Sequence, residues 1–125
     1  MKKTINRREL GAAYEQKALH YFLEKGWKLL CQNYQSLPIG EIDLIFEDPQ
    51  KAIVFVEVRS RSSLEFGSAF TSISKSKQTR LIKTALTYIK KFQLYKRDYR
   101  FDILTFDSDG IQHFPNAFTT TKYTL

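Results

Sequence analysis

The stretch that decides the fold is GEIDLIFE (residues 40–47), followed by the polar turn DPQK (48–51) and by AIVFVEVRSR (52–61). Both hydrophobic segments have the length and the β-branched and aromatic content of strands, and the turn between them favours an antiparallel hairpin. Charged residues interrupt both segments at positions that otherwise look buried. Buried charge is costly unless it is paired or binds a metal ion, so these residues are the first candidates for a functional site.

Alternation along the hairpin places its charges on one face. A hairpin centred on Gln50 predicts that Asp43 lies opposite Glu57 and that Glu41 lies opposite Arg59. Two carboxylates about 4.5–5.5 Å apart repel each other unless a positive charge lies between them, and a divalent metal ion would remove that repulsion. The apolar residues between these charges in the first strand are expected to share the opposite face: Ile42, Leu44 and Phe46.

Two interpretations of this charged face remain open. In the first, it is an ordinary solvated face on which Arg59 and Arg61 neutralise the neighbouring glutamates as surface ion pairs. In the second, Asp43 and Glu57, together with the peptide carbonyl of Val58, bind Mg²⁺, which prefers oxygen ligands and is commonly held by one or two carboxylates plus substrate phosphate.

The remaining segments alternate between helical and strand patterns, which predicts an α/β fold with a mixed central sheet flanked by helices. We find no repeat and no linker, so residues 1–125 are expected to form a single domain. The predicted order is helix, three strands, helix and strand, and a weakly patterned tail adds a candidate edge strand. The predicted bounds are Arg8–Lys25 (ending at Gly26), Lys28–Tyr34, Gly40–Glu47, Ala52–Arg61, Ser74–Gln93, Arg100–Phe106 and, for the tail, Ile111–Phe118.

Each predicted helix carries one polar residue within its apolar arc. Glu15 lies in the arc of the first helix, where it either reaches past the apolar edge to solvent or points a carboxylate at the sheet. Gln78 lies near the centre of the arc of the second helix. It is either a partly exposed residue at the helix start or a side chain that orients a water molecule or a phosphate oxygen.

The positive charge of the chain is concentrated in the second helix and the segment after it. The net charge is +7, and the segment from Lys75 to Arg100 contains nine basic residues and one acidic residue, Asp98. Such a stripe is either a solvated helix face or a surface for an anionic partner, which favours nucleic acid as the ligand. The candidate nucleic-acid-binding residues are Lys75, Lys77, Arg80, Lys83, Lys90 and Lys91, with Arg61 from the preceding strand.

Cysteine content and hydropathy indicate the compartment. A single cysteine, Cys31, excludes a disulfide within the chain, and no apolar run approaches the roughly 18 residues of a membrane span. The basic N-terminus is not followed by the apolar stretch of a signal peptide. We therefore expect a cytoplasmic location and no membrane partner.

Several blocks along the chain carry a resemblance to a known family. They are Gly11, the helix around Tyr14-Glu15 and Ala18, Asn33-Tyr34, GEIDLI (40–45), FVEVRSR (55–61), Lys77-Gln78, Arg80-Leu81 and Arg100-Phe101-Asp102. Together they resemble the bacterial YraN-like proteins, a largely uncharacterised group of the restriction-endonuclease-like, Holliday-junction-resolvase-like superfamily. The resemblance implies the three-layer core of that superfamily, in which an Asp and a Glu-x-Lys on the next strand bind Mg²⁺ and activate water.

The resemblance also implies roles for individual residues. Asp43 and Glu57 would be the ligands of Mg²⁺ or Mn²⁺, Glu15 matches the first-helix acid of resolvase-like members, and Gln78 matches a helix glutamine found in several of them. Arg59 occupies the position of the Lys, which is a departure from the superfamily pattern. Arginine stays protonated and does not act as a general base, but it can stabilise developing negative charge on a phosphate.

The leading hypothesis from the sequence is a Mg²⁺- or Mn²⁺-dependent nuclease that hydrolyses phosphodiester bonds in DNA. Branched or single-stranded DNA is the substrate expected by analogy with resolvases, which often work as dimers. The competing hypothesis is a catalytically inactive nucleic-acid-binding module in which Arg59 pairs permanently with Glu41 or Glu57. A protein-interaction domain is a third and weaker alternative.

Overall fold

The computed structural model describes residues 6–60 and 73–119, which form two helices and five strands. The predicted order of elements is confirmed, the tail forms the fifth strand, and the element ends differ from the predicted ones by at most two residues. Among the described residues no helix is long and apolar enough to cross a membrane. The elements are α1 (Arg7–Glu24), β1 (Lys28–Ser36), β2 (Gly40–Glu47), β3 (Ile53–Ser60), α2 (Lys75–Lys91), β4 (Tyr99–Asp107) and β5 (Gly110–Phe118).

Local sequence signals fix the ends of the helices. The side chain of Asn6 accepts a hydrogen bond from the Glu9 N–H at 2.8 Å, and the Ser74 hydroxyl accepts one from the Lys77 N–H at 3.1 Å. Each bond satisfies one of the main-chain donors that a helix start leaves without a partner. Gly26 follows α1 with a φ of 84°, as predicted from its lack of a Cβ atom.

The strands form one mixed sheet in the order β1-β2-β3-β4-β5. Neighbouring strands are antiparallel except for β3 and β4, which are parallel and are connected through α2. A parallel pair needs such a crossover, because its connection has to return to the starting end of the sheet. Helix α1 packs on one face of the sheet and α2 on the other, which gives the three-layer α/β core expected from the sequence.

Each helix covers its own half of the core. On the α1 side, Ala18 and Phe22 are fully buried against alternate residues of the three central strands: Leu44, Phe46, Val54, Val56, Leu104 and Phe106. On the α2 side, the buried helix residues Leu81, Ile82, Ala85, Tyr88 and Ile89 pack against the other face of the same strands: Ile45, Ile53, Phe55, Phe101 and Ile103. Complete burial of a side chain such as Phe22 contributes about 1.5–3 kcal/mol to stability.

The predicted face of one β2 residue is wrong. Ile42 was expected to share a face with Leu44, but it packs in the cluster on the α2 side together with Ile45. The alternation changes at Asp43, beside Asn33 of β1, which lies between the pairs Gln32–Leu44 and Tyr34–Ile42 and has a φ of 51°. Asn33 therefore departs from extended strand geometry at the position opposite this change.

A buried polar network joins β4 and β5 near the C-terminal end of α1. The Asp102 side chain has 0% exposure, and it accepts hydrogen bonds from the Asn116 N–H at 2.9 Å and from Arg100 Nε at 3.0 Å. Its Oδ2 lies 2.7 Å from His113 Nε2, and Arg100 also donates to Asp48 Oδ2 at 2.7 Å. Every oxygen of the buried Asp102 carboxylate therefore has a partner, as a buried charge requires.

Candidate active site

The candidate site forms where β2 and β3 stop pairing. The predicted hairpin register is confirmed by four pairs, from Glu47 with Ile53 to Leu44 with Val56. Pairing of these strands ends there, while β3 continues beside β4 as far as Ser60. The prediction that Glu41 lies opposite Arg59 is therefore wrong.

Glu41 pairs with β1 instead, and its Oε2 accepts a hydrogen bond from Gln35 Nε2 at 2.7 Å. Asp43 and Glu57 are the acids nearest to the end of the β2–β3 ladder, and they lie close together although their strands no longer pair there. Asp43 Oδ2 accepts a hydrogen bond from the Val58 N–H at 2.9 Å, which holds the carboxylate of β2 against the main chain of β3. The side chain of Glu57 is also in hydrogen-bonding contact with Asp43.

Helix α1 adds a third carboxyl group to this pair. Glu15 is half-buried, and its side chain is in hydrogen-bonding contact with Asp43 and with Asn33 of β1. Burial, together with the negative charge of Glu41, raises the pKa of Glu15 above its ordinary value. Of the two interpretations of Glu15 that the sequence left open, the structure therefore supports the one in which the carboxyl group points at the sheet.

The pKa of Asp43 is strongly raised. Burial is the main cause, and the charge of Glu57 adds to it, so that the pKa of Asp43 rises from 3.8 to about 8 even though the Val58 N–H favours the charged form. A buried carboxyl group next to other carboxyl groups needs either a proton or a cation. Strong pKa shifts of this kind in a cleft are typical of functional sites.

Two basic side chains meet the acids at Glu57, whose side chain is only 6% exposed. Lys77 Nζ lies 2.7 Å from Glu57 Oε2, and Arg59 Nη1 lies 3.9 Å from the same oxygen. Lys77 was predicted to contact nucleic acid from the exposed face of α2, but its side chain is directed into the carboxylate cluster. Arg59 is half-buried beside Glu57, so both basic residues border the same acid.

Asp43, Glu57 and Lys77 line a cavity of about 190 Å³ between β2 and the start of α2. Close packing of α2 on β2 shapes it, because a Cβ atom added at Gly40 would lie 3.1 Å from Thr84 Oγ1. A cavity of this size accommodates water molecules and a phosphate group. Its lining residues are Gly40, Glu41, Asp43, Glu57, Lys77, Arg80 and Leu81.

Gln78 is placed beside this cavity but contacts the start of its own helix. Its side-chain Nε2 donates a hydrogen bond to the carbonyl oxygen of Ile73 at 3.0 Å. This bond matches the interpretation of Gln78 as a partly exposed residue at the helix start. Its side-chain oxygen keeps its capacity to accept a hydrogen bond from a water molecule.

The other predicted nucleic-acid contacts lie on the outer surface of α2. Lys75, Lys83, Lys90 and Lys91 are exposed along the helix, and Arg80 is exposed at the rim of the cavity. Arg61 falls outside the described residues. The basic surface therefore begins at the cavity and follows α2 away from it.

At the far end of α2 this basic surface reaches a shallow hollow of about 700 Å³. Lys90, Tyr95 and Lys96 are among its lining residues, and Tyr95 is 52% exposed. Phe92 nearby is 51% exposed. Exposed rings among lysine side chains are typical of surfaces on which nucleic-acid bases stack.

The carboxylates of Asp43 and Glu57 are oxygen ligands of the kind that Mg²⁺ and Mn²⁺ prefer. Within residues 6–60 and 73–119 no group of three or more His, Cys, Asp and Glu side chains is arranged to hold a metal ion. Mg²⁺ does not require such a cage, because it is usually bound by one or two carboxylates and keeps several water molecules. Asp43 and Glu57 supply two such carboxylates at the cavity.

Comparisons with known proteins place the chain in a family. The model of a family described as "Uncharacterised protein family UPF0102" matches residues 14–106. The chain belongs to this family. UPF0102 proteins of Sulfurihydrogenibium sp. and Legionella pneumophila are 40% and 42% identical to it over 115 and 113 residues. These alignments cover 92% and 88% of this chain and 98% and 94% of the relatives.

A third UPF0102 protein, from Thermodesulfovibrio yellowstonii, is 41% identical over 112 residues, covering 88% of this chain and 96% of the relative. The expected membership of the YraN-like group is thereby confirmed. The part matched by the UPF0102 model contains the carboxylate cluster and both basic residues at Glu57. The cluster thus lies within the region that defines the family.

Proposed function

We propose that this UPF0102 protein is a Mg²⁺- or Mn²⁺-dependent nuclease that hydrolyses phosphodiester bonds in DNA. The observation that carries the proposal is the contact of three carboxyl groups from three elements, Glu15, Asp43 and Glu57, beside the basic residues Lys77 and Arg59. Burial of Asp43 beside Glu57 raises the pKa of Asp43 to about 8, so its charged form is unfavourable in the metal-free protein. A bound cation would stabilise that charged form.

Each residue of the cluster has its own role in the proposed hydrolysis. Asp43 and Glu57 would hold the metal ion, which polarises the scissile phosphate and activates water when it is bound. The guanidinium group of Arg59 stabilises negative charge that develops on the phosphate. Glu15 contributes a carboxyl group next to Asp43 that holds a proton or orients a water molecule.

The basic surface of α2 supports DNA as the substrate. Its exposed lysines contact phosphates, which gives affinity with little sequence information and strong dependence on salt. The exposed rings of Phe92 and Tyr95 beside Lys90 and Lys96 provide stacking surfaces for unpaired bases. This combination favours single-stranded or branched DNA, whose bases are accessible, over continuous duplex.

The test is cleavage of single-stranded, branched and duplex DNA with Mg²⁺ or Mn²⁺. The wild type is compared with Asp43→Asn, Glu57→Gln and Glu15→Gln, and with Glu24→Gln as a control at an exposed acid of the same helix as Glu15. We expect cleavage by the wild type and Glu24→Gln, and loss of at least about 100-fold in the site variants, as is usual when a charge-stabilising group is removed. Equal activity in all five proteins would contradict the proposal.

One observation favours the second candidate function, a catalytically inactive nucleic-acid-binding module with the same fold. Glu57 Oε2 already has Lys77 Nζ at 2.7 Å, so one of the two proposed metal ligands has a counter-ion within the protein. This candidate predicts salt-sensitive DNA binding that is the same in EDTA and in Mn²⁺, with no cleavage of any substrate.

A further inference from the structure

We propose that Lys77 is an exchangeable cation of the carboxylate site, which holds Glu57 in the metal-free protein and contacts the substrate phosphate once Glu57 binds metal. This inference rests on the proposed function and adds a positioning and substrate-contacting role for Lys77. Its starting point is that Lys77 Nζ lies 2.7 Å from Glu57 Oε2, inside the cavity rather than on the outer surface of α2.

The position of Lys77 in its helix is by itself unfavourable for a positive charge. Lys77 donates its N–H to the Ser74 cap, so it belongs to the first turn of α2, which contains no acidic residue. The positive end of a helix disfavours a cation there and favours an anion. The contact with Glu57 offsets this unfavourable placement, and it fixes the side chain toward the sheet while the neighbouring Lys75 remains exposed.

Glu57 cannot hold the ammonium group and a divalent cation on the same oxygen. Both carry positive charge, and at contact distance in a partly buried site their repulsion is strong. The side chain of Glu57 is 6% exposed, whereas that of Lys77 is 38% exposed, so the lysine is the partner with a route toward solvent. Metal binding at Oε2 and the Lys77–Glu57 ion pair therefore compete with each other.

Lysine suits such an exchange better than the arginine that shares the site. Its charge is compact and sits on a flexible four-carbon stem, whereas the guanidinium group of Arg59 is planar and rigid. Lys77 lines the same cavity as Asp43 and Arg80. When it leaves Glu57, its ammonium group stays within reach of a phosphate in that cavity. The site therefore contains two basic residues from different elements, Arg59 of β3 and Lys77 of α2.

The experiment measures Mn²⁺ affinity of the full chain by isothermal titration calorimetry, at one pH and without nucleic acid. Lys77→Met is compared with the wild type and with Lys25→Met, which removes the same charge from an exposed position just after α1. We expect Lys77→Met to bind Mn²⁺ at least about tenfold more tightly than the wild type, because a competing charge is gone. Lys25→Met should remain within about twofold of the wild type, since an exposed charge is screened.

Lys77→Arg tests the same point with the charge retained, and it covers the case in which Lys77→Met does not fold. Its Mn²⁺ affinity should stay near that of the wild type. Equal or weaker Mn²⁺ binding by Lys77→Met than by Lys25→Met would overturn the inference while leaving the proposed metal site intact. Absence of Mn²⁺ binding in all variants would overturn the metal site itself, and the inference with it.

The second half of the exchange is tested by DNA binding with Ca²⁺ in place of Mn²⁺, so that no cleavage interferes. Lys77→Met should bind single-stranded DNA about tenfold more weakly than the wild type in Ca²⁺, because one phosphate no longer has its ammonium partner. In EDTA the two proteins should differ by less than about twofold, since Lys77 is then held by Glu57. An equal decrease in affinity under both conditions would show an ordinary phosphate contact and overturn the exchange.

Discussion

The carboxylate of Asp43 in β2 is positioned by the main chain of β3, because its Oδ2 accepts a hydrogen bond from the Val58 N–H at 2.9 Å. The bond lies just beyond the last pair of the β2–β3 ladder, where a main-chain acceptor would otherwise receive this N–H. The Asp43 side chain thus provides the hydrogen-bond acceptor that the main chain of β2 would provide in a continuing ladder. This hydrogen bond holds Asp43 close to Glu57.

Asp43→Asn should make the stability of the metal-free protein less dependent on pH. Burial raises the pKa of Asp43 from 3.8 to about 8, so the folded state holds this proton more tightly than the unfolded state. Wild-type stability therefore falls as the pH rises from about 4 to about 8, by an amount of the order of a few kcal/mol from this group. Asparagine does not ionise, and it retains an oxygen for the Val58 N–H.

Urea unfolding at pH 5 and pH 8 in EDTA measures this effect. Asp109→Asn, at an exposed acid in the β4–β5 turn, is the matched control. The decrease in unfolding free energy between the two pH values should be smaller in Asp43→Asn than in the wild type and in the control. The same decrease in all three proteins would show that Asp43 is not the group responsible.

Metal binding should release a proton at neutral pH. Below about pH 8 the Asp43 carboxyl is mostly protonated in the metal-free protein, and a metal ion binds only the carboxylate. Mn²⁺ affinity should therefore rise with pH, by up to about tenfold per unit, and level off above about pH 8. Calorimetric titrations at pH 7 in two buffers of different ionisation enthalpy count the released protons, with Glu24→Gln as the control. A proton count of zero would contradict the assignment.

The basic surface of α2 should determine DNA affinity and its salt dependence. Replacing Lys83, Lys90 and Lys91 by Ala removes exposed charges along the helix and should lower the salt slope by about 0.7–0.9 for each phosphate that is no longer neutralised. A charge-matched control removes three exposed lysines outside α2: Lys17, Lys25 and Lys28. Fluorescence anisotropy at several salt concentrations compares them. Equal slopes in the two triple variants would remove α2 from the proposed DNA surface.

Tyr95→Ala should weaken binding of single-stranded DNA more than binding of duplex. The ring of Tyr95 is 52% exposed beside the hollow at the end of α2, and stacking of one base on an aromatic ring is worth about 1–3 kcal/mol. Tyr95→Phe keeps the ring and serves as the matched variant, with affinity expected near that of the wild type. Anisotropy with an oligonucleotide and its duplex separates the two substrates, and a similar decrease in affinity for both would exclude stacking.

The sequence predicted the hairpin and its register because alternation and a short polar turn are local properties of the chain. Two features of the site depend on packing between distant elements, and they could not be predicted in this way. One is the end of the β2–β3 ladder, which brings Asp43 and Glu57 together without a direct pair. The other is the inward direction of Lys77, whose ammonium group contacts Glu57 of β3.

Asp102→Ala should destabilise the protein by about 3–5 kcal/mol, the cost of removing one partner from a buried charge network. The Asp102 side chain is fully buried, and its removal leaves Arg100 with Asp48 alone and takes away the acceptor of the Asn116 N–H. Asp107→Ala is the matched control in the same strand, because Asp107 is only half-buried and bonds a neighbouring turn residue. Urea unfolding at pH 7 compares them. A destabilisation by Asp102→Ala no larger than that by Asp107→Ala would show that the network does not hold β5 to the sheet.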